Sequence, residues 1–125
     1  MSETSDENKA LTVRFFEEAF NQGNLGVVDE LLSPDYAYNG HPSPAAATKG
    51  WVSGLLAQFP GLHFIIEAIL AEDDKVALRW RMMIPAATGR PAGHIIGTNI
   101  LTFVAGQALT NDQSGGGMAD FVPDP

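Results

Sequence analysis

The amino-acid sequence predicts an α+β domain in which three N-terminal helices pack on an antiparallel sheet. Apolar residues recur at three- and four-residue intervals as far as Phe59 and alternate with polar ones from Leu62 onward, with Pro60-Gly61 between the two regimes. The composition is that of a globular protein, with 45% hydrophobic and 18% charged residues in 125 positions. That is material for one core, so residues 1–125 are read as a single domain with residues 1–6 and 114–125 as flexible ends.

Thr4-Ser-Asp-Glu7 has the spacing of a capping box, and Leu11, Phe15, Phe16, Ala19 and Phe20 follow at helical intervals. They predict a first helix from about Asp6 to Asn21, ended by Gly23. Asn24 can cap a short second helix through Val28, Leu31 and Leu32, which Ser33-Pro34 stops. Asp35 to Asn39 is a short strand. Gly40-His-Pro-Ser-Pro-Ala45 is a loop, because proline lacks the backbone donor and restricts its predecessor. Thr48 to Phe59 forms a third helix with Trp51, Leu55 and Phe59 on one stripe and Val52 and Leu56 beside it.

In the strand half, Leu62 to Ala71 presents an even face of Leu62, Phe64, Ile66, Ala68 and Leu70 to the core. Glu72-Asp-Asp74 turns the chain into Lys75 to Ile84, whose even residues Val76, Leu78, Trp80, Met82 and Ile84 are apolar. A three-residue turn pairs even with even positions and keeps both apolar faces on one side. Pro85 to Arg90 is a loop of even length, which moves the buried parity to Ile95, Gly97, Asn99, Leu101 and Phe103.

Gly97 to Asp112 reads as a hairpin turning at Ala105-Gly106. With those as the central residues, Val104 pairs with Gln107, Phe103 with Ala108, Leu101 with Thr110 and Asn99 with Asp112. Asp112 would then end an apolar strip beside Asn99, where desolvation disfavours the carboxylate and favours a general base. Gly97 would leave room there for a ligand.

The formal charge of −8 and only seven Lys and Arg residues argue against a nucleic-acid or anionic membrane surface. A neutral or cationic small molecule is the expected partner. Cysteine is absent, so thiolate chemistry and disulfides are excluded. The acidic start is unlike a targeting peptide and no apolar run reaches membrane length, which points to a cytoplasmic protein. The three histidines have neither His-x-His nor His-x₃-His spacing, and no carboxylate completes a set, so no metal is expected.

Phe15-Phe-Glu-Glu-Ala-Phe-Asn-Gln-Gly-Asn24, Leu31-Leu-Ser-Pro-Asp-Tyr36, Phe59-Pro-Gly-Leu-His-Phe64, Ile69 to Trp80 and Ala87-Thr-Gly-Arg-Pro91 resemble the SnoaL-like polyketide cyclases of the nuclear transport factor 2-like superfamily. The resemblance spans roughly residues 8 to 113 and implies a cystatin-like cone, three N-terminal helices on a curved antiparallel sheet. It also implies a cofactor-independent aldol-type ring closure of a hydrophobic, polyketide-like carbonyl substrate, and a homodimer through the outer sheet face. The family's acidic residue aligns with Asn99, whose amide takes no proton at neutral pH, and the usual histidine after the Arg-Trp strand is replaced by Met82-Met-Ile-Pro. Asp112 stands where the family has a Trp, which makes it the substitute base, with Asn99 as its neighbour or an oxyanion donor.

The catalytic candidates are therefore Asp112, Asn99 and His41, the last in the Pro-flanked loop at the mouth. Tyr38, Trp51, Trp80, Met82, Leu101, Phe103 and Phe16 are the substrate-binding candidates, because a cavity lined with aromatic and apolar side chains suits a flat polycyclic compound. His63, His94, Arg79 and Arg81 fall on the opposite parity and belong to the outer surface. A limonene-epoxide-hydrolase type of site fits less well, because Arg79-Trp-Arg81 lacks its paired Asp. The remaining alternative is a small-molecule-binding domain without catalysis.

Overall fold

Helices lie against one face of a curved, unclosed mixed sheet in the computed structural model, which describes residues 2–125. Helix α1 (Ser2–Arg14) continues without a break as a π-helical stretch (Phe15–Asn21), followed by α2 (Val27–Leu31). Strands β1 (Leu32–Tyr38) and β2 (His41–Pro42) precede α3 (Ala45–Gln58), and then come β3 (His63–Glu72), β4 (Lys75–Ile84), β5 (Gly93–Val104) and β6 (Gln107–Gly115). A 3₁₀ turn (Met118–Asp120) leads to β7 (Val122–Pro123).

The order across the sheet is β2-β1-β6-β5-β4-β3, with β7 added to the start of β5. The expected antiparallel sheet is mixed, because β1 runs parallel to β6. The third helix is not contiguous with the first two, since β1 and β2 intervene. Thr4 to Glu7 lie inside α1 and do not start it. The stretch expected as a loop at Gly40 contains β2, which pairs Tyr38 with His41 and so needs only the left-handed Asn39 and Gly40 to turn. Residues 114–125, expected as a flexible end, continue β6 and dock β7 on β5.

The first helix widens at Phe15. Gln22 N–H bonds Glu17 O at 3.1 Å and Asn24 N–H bonds Glu18 O at 2.7 Å, with Gly23 in the left-handed conformation that lets the chain turn away. Asn21 then ties this end to the edge strand, its Nδ2 donating to Phe64 O at 3.0 Å and its Oδ1 accepting from Phe64 N at 2.7 Å. Arg14 bridges Glu18 and Glu30 across to α2, and that contact holds the Glu30 carboxyl below its ordinary range.

Strands β4 and β5 follow the alternation that the sequence predicts, with Val76, Leu78, Trp80, Met82 and Ile84 facing Gly93, Ile95, Gly97, Asn99, Leu101 and Phe103 on the inner face. The flanking strands do not. The β3-β4 turn has two central residues, Asp73 and Asp74, because Glu72 pairs with Lys75 and Asp73 adopts positive φ. A bulge at Glu67 restores the even-with-even register, so Phe64 faces Met82 and Ile66 faces Trp80. Beyond the bulge Ile69 and Ala71 turn inward, whereas Ala68 and Leu70, expected in the core, are exposed. Glu67 itself points outward and accepts from Arg81 Nε at 2.8 Å and Arg79 Nε at 3.0 Å, which holds its carboxyl below the ordinary range.

A second bulge lies in the hairpin. Val104 pairs with Gln107 and Phe103 with Ala108, but Thr102 pairs with Thr110, leaving Leu109 as the extra residue. From there the register differs by one from the expected one. Leu101 faces Asn111, Ile100 faces Asp112 and Asn99 faces Gln113. A shift of one residue exchanges the two faces of a strand, so Asn111 turns in and Asp112 turns out.

Candidate active site

A cavity of about 170 Å³ lies between the π-helical stretch, α3 and the inner face of the sheet. The π stretch supplies Phe15, Phe16 and Phe20 to its wall, α3 supplies Trp51 and Leu55, and β3 and β4 supply Phe64, Trp80 and Met82. Phe15 and Phe20, one π turn apart, meet edge to face at 5.6 Å, and Phe20 packs on Phe64 at 4.6 Å, which packs on Trp80 at 4.9 Å. Trp51 touches Phe20 and Tyr38, each at 5.9 Å, and is 51% exposed, so it stands where the cavity meets solvent.

The polar part of the wall is a connected set of neutral side chains. Parallel pairing of β1 with β6 sets Tyr36 and Tyr38, two residues apart on one strand, against Asn111 and Gln113, two apart on the other. Asn111 Nδ2 donates to Tyr36 Oη at 3.0 Å and Tyr38 Oη donates to Gln113 Oε1 at 2.7 Å. Asn99, from β5, donates through Nδ2 to Asn111 Oδ1 at 2.7 Å and to Gln113 Oε1 at 3.4 Å, and accepts from Trp80 Nε1 at 2.5 Å. Asn99 and Asn111 are buried, 2% and 5% exposed, and leave no side-chain group unpaired. Ser43 and Thr48 add a hydroxyl pair 2.7 Å apart. Burial pushes the Tyr36 phenol up to about 12, against the Asn111 hydrogen bond that lowers it, and burial also raises Tyr38. Both are neutral phenols at physiological pH.

Gly97 serves a different purpose from the expected one. The space over it is filled by the Trp80 indole, and a Cβ at Gly97 would strike that ring. Gly116, at φ +81°, closes on the same indole, where an added Cβ would come within 2.7 Å of Cη2. The indole is clamped between these two backbones.

The sequence candidates separate accordingly. Asn99, Tyr38, Trp51, Trp80, Met82 and Phe16 lie on the cavity wall. Leu101 and Phe103 belong to the buried core and not to that wall. His41 is exposed on β2 and Asp112 is exposed on the outer face, so neither reaches the cavity and the expected Asn99–Asp112 pair does not exist. Asn111 and Gln113 take the places beside Asn99. Their signal was an Asn-x-Gln pair matching Tyr36-x-Tyr38, but assigning it inward needs the bulge at Leu109. No Asp, Glu, His, Lys or Arg is among the residues lining the cavity. Among the described residues no group of three His, Asp or Glu side chains could hold a metal ion, and no helix is long and apolar enough to cross a membrane.

Solved structures with the same architecture include a proposed polyketide cyclase from Acidithiobacillus ferrooxidans, with a TM-score of 0.77 and 21% identity over 91% of this chain and 91% of that one. A proposed hydroxylase, AclR, from Streptomyces galilaeus has a TM-score of 0.73 and 23% identity over 93% and 92% of the two chains. A SnoaL-like polyketide cyclase from Agrobacterium tumefaciens aligns with a TM-score of 0.75 at 10% identity, over 88% of this chain and 91% of that one. These likenesses establish the nuclear transport factor 2-like fold. No curated protein sequence matches the chain significantly. The SnoaL-like domain model matches residues 12–109, from the end of α1 to the start of β6, and the chain belongs to that family.

Proposed function

We propose that the cavity takes a flat, hydrophobic, carbonyl-bearing small molecule and assists an aldol-type ring closure by hydrogen bonding, without a carboxylate base and without a cofactor. The observation that carries this reading is a wall of aromatic rings ending in a neutral network, with Tyr36, whose hydroxyl accepts from Asn111, among the lining residues. A 1,3-dicarbonyl substrate supplies its own nucleophile as the enol. Its carbon attacks the acceptor carbonyl, the new C–C bond forms, and the enol proton passes to the resulting alkoxide oxygen. Tyr36 donates a hydrogen bond to that oxygen as charge develops, the role of an oxyanion donor. Asn99 holds the network in place and Asp112 has no part in it.

A second reading, a binding domain without turnover, is favoured by the absence of any group on the wall that titrates near neutral pH. Incubation with an aryl 1,3-diketone carrying a pendant ketone separates the two. Acceleration of ring closure over buffer, lost in Tyr36→Phe, supports the enzyme; saturable binding with no acceleration supports the binder. Association through the outer face of the sheet belongs to the same proposal, since Ile65 and Ile100 are exposed there, 43% and 51%. Sedimentation of wild type as a dimer and of Ile100→Glu as a monomer is the expected result.

A further inference from the structure

We infer that Trp80 is a positioning residue that sets the direction of the whole amide network, so that the cavity offers a hydrogen-bond donor and selects ligands carrying an acceptor oxygen. This rests on the reading above in taking the same cavity as the ligand site.

Along the network each donor or acceptor fixes the next. An indole N–H can only donate. Trp80 is 3% exposed and its Nε1 meets Asn99 Oδ1, so the Asn99 oxygen is committed to it. The Asn99 nitrogen must then face Asn111, which commits the Asn111 oxygen at 2.7 Å. The Asn111 nitrogen is left to face Tyr36 Oη at 3.0 Å, and the phenol oxygen has to accept. Its own proton has no acceptor among the described residues, and Tyr36 lines the cavity.

The side branch ends differently. Gln113 Oε1 accepts from Asn99 and from Tyr38, and Gln113 Nε2 donates to Gly115 O at 3.1 Å. The Tyr38 proton is consumed inside the protein and the Tyr36 proton is not. Reversing any one amide sets two donors or two oxygens against each other in a buried site, which costs the unmet desolvation of those groups. The amides therefore turn together or not at all, and the clamped indole decides which way, because Gln113, held by the Gly115 carbonyl at the exposed end, reaches Asn99 only through the long 3.4 Å contact.

A ligand presenting a ketone, quinone or ester oxygen to Tyr36 completes the chain. One presenting only an N–H at that point meets a second donor. An acceptor is also what the proposed ring closure requires at the carbonyl.

Three tricyclic probes of nearly one shape test this by titration calorimetry: 9-fluorenone offers an acceptor, carbazole only a donor, and fluorene neither. Wild type is expected to bind fluorenone on the order of tenfold more tightly than carbazole, with fluorene between them. Trp80→Phe removes the donor. Replacing Trp80 by β-(3-benzothienyl)alanine also removes it, with sulfur in place of N–H and the bicyclic shape retained. In either variant the fluorenone-to-carbazole ratio should fall to parity or invert. A ratio near one in wild type, or one unchanged in the benzothienyl protein, overturns the inference and leaves the cavity reading intact. Failure of all three probes to bind wild type overturns both.

Discussion

Asn99 shows how one residue type sets the chemistry of a site. Its amide keeps an inward position beside Trp80 and joins phenols and amides into a network that neither gains nor loses protons near neutral pH. Tyr36 carries a shift with a predictable consequence for stability. Its folded value, about 12, lies above its ordinary one of 10, so the native state holds this proton more tightly than the unfolded chain. That contribution is complete below about pH 10 and is lost as pH rises towards about 12, amounting to about 2–3 kcal/mol. Denaturant titrations at stepped pH should show the stability difference between wild type and Tyr36→Phe shrinking across that window. Asp112→Asn, on the exposed face, should leave stability within about 0.5 kcal/mol and ligand affinity unchanged. A large loss of affinity in that variant would return Asp112 to the site.

Among the elements, β4 and β5 were legible because each is regular along its inner face, and alternation is the one signal a strand carries in its own residues. The strands beside them were legible only up to their bulges. Nothing local marks Glu67 or Leu109 as an extra residue, since a bulge is chosen by the twist and by the partner strand, and each exchanges the faces of everything beyond it. That is why Asp112 read as inward while Asn111 and Gln113 went unnoticed. The aromatic wall was partly legible, in Phe16, Trp51, Trp80 and Met82. The π-helical widening that places Phe15 and Phe20 together was not, because Phe15, Phe16, Ala19 and Phe20 satisfy an α-helical period as well. The clasp from Asn21 to Phe64 fixes that stretch on the edge strand. Asn21→Ala should cost about 1–3 kcal/mol in chemical denaturation by stranding the Phe64 backbone groups. Gly97→Ala should cost a similar amount, about 1–3 kcal/mol, by forcing the Trp80 ring out of its clamp. It should also reduce the fluorenone preference, because the indole N–H no longer aims at Asn99.

At the scale of the molecule, a surface with formal charge −8 surrounds a cavity lined by no ionisable carboxylate, imidazole or amine. Affinity for a neutral ligand should therefore be flat from about pH 5 to about pH 9, the range in which a buried base would reveal itself by a sigmoid. Under the proposed function, a net negative charge disfavours anions relative to neutral, apolar compounds, and Trp51 is exposed at the cavity wall. Ligand choice depends on whether the cavity presents such a compound with the Tyr36 proton. The most direct measurement is the ratio of fluorenone to fluorene affinity in wild type and in Tyr36→Phe. A ratio of about three, part of the tenfold spread between fluorenone and carbazole, that falls to about one in the variant is the result predicted here. A ratio that is one in wild type, or that survives the loss of the hydroxyl, would contradict it.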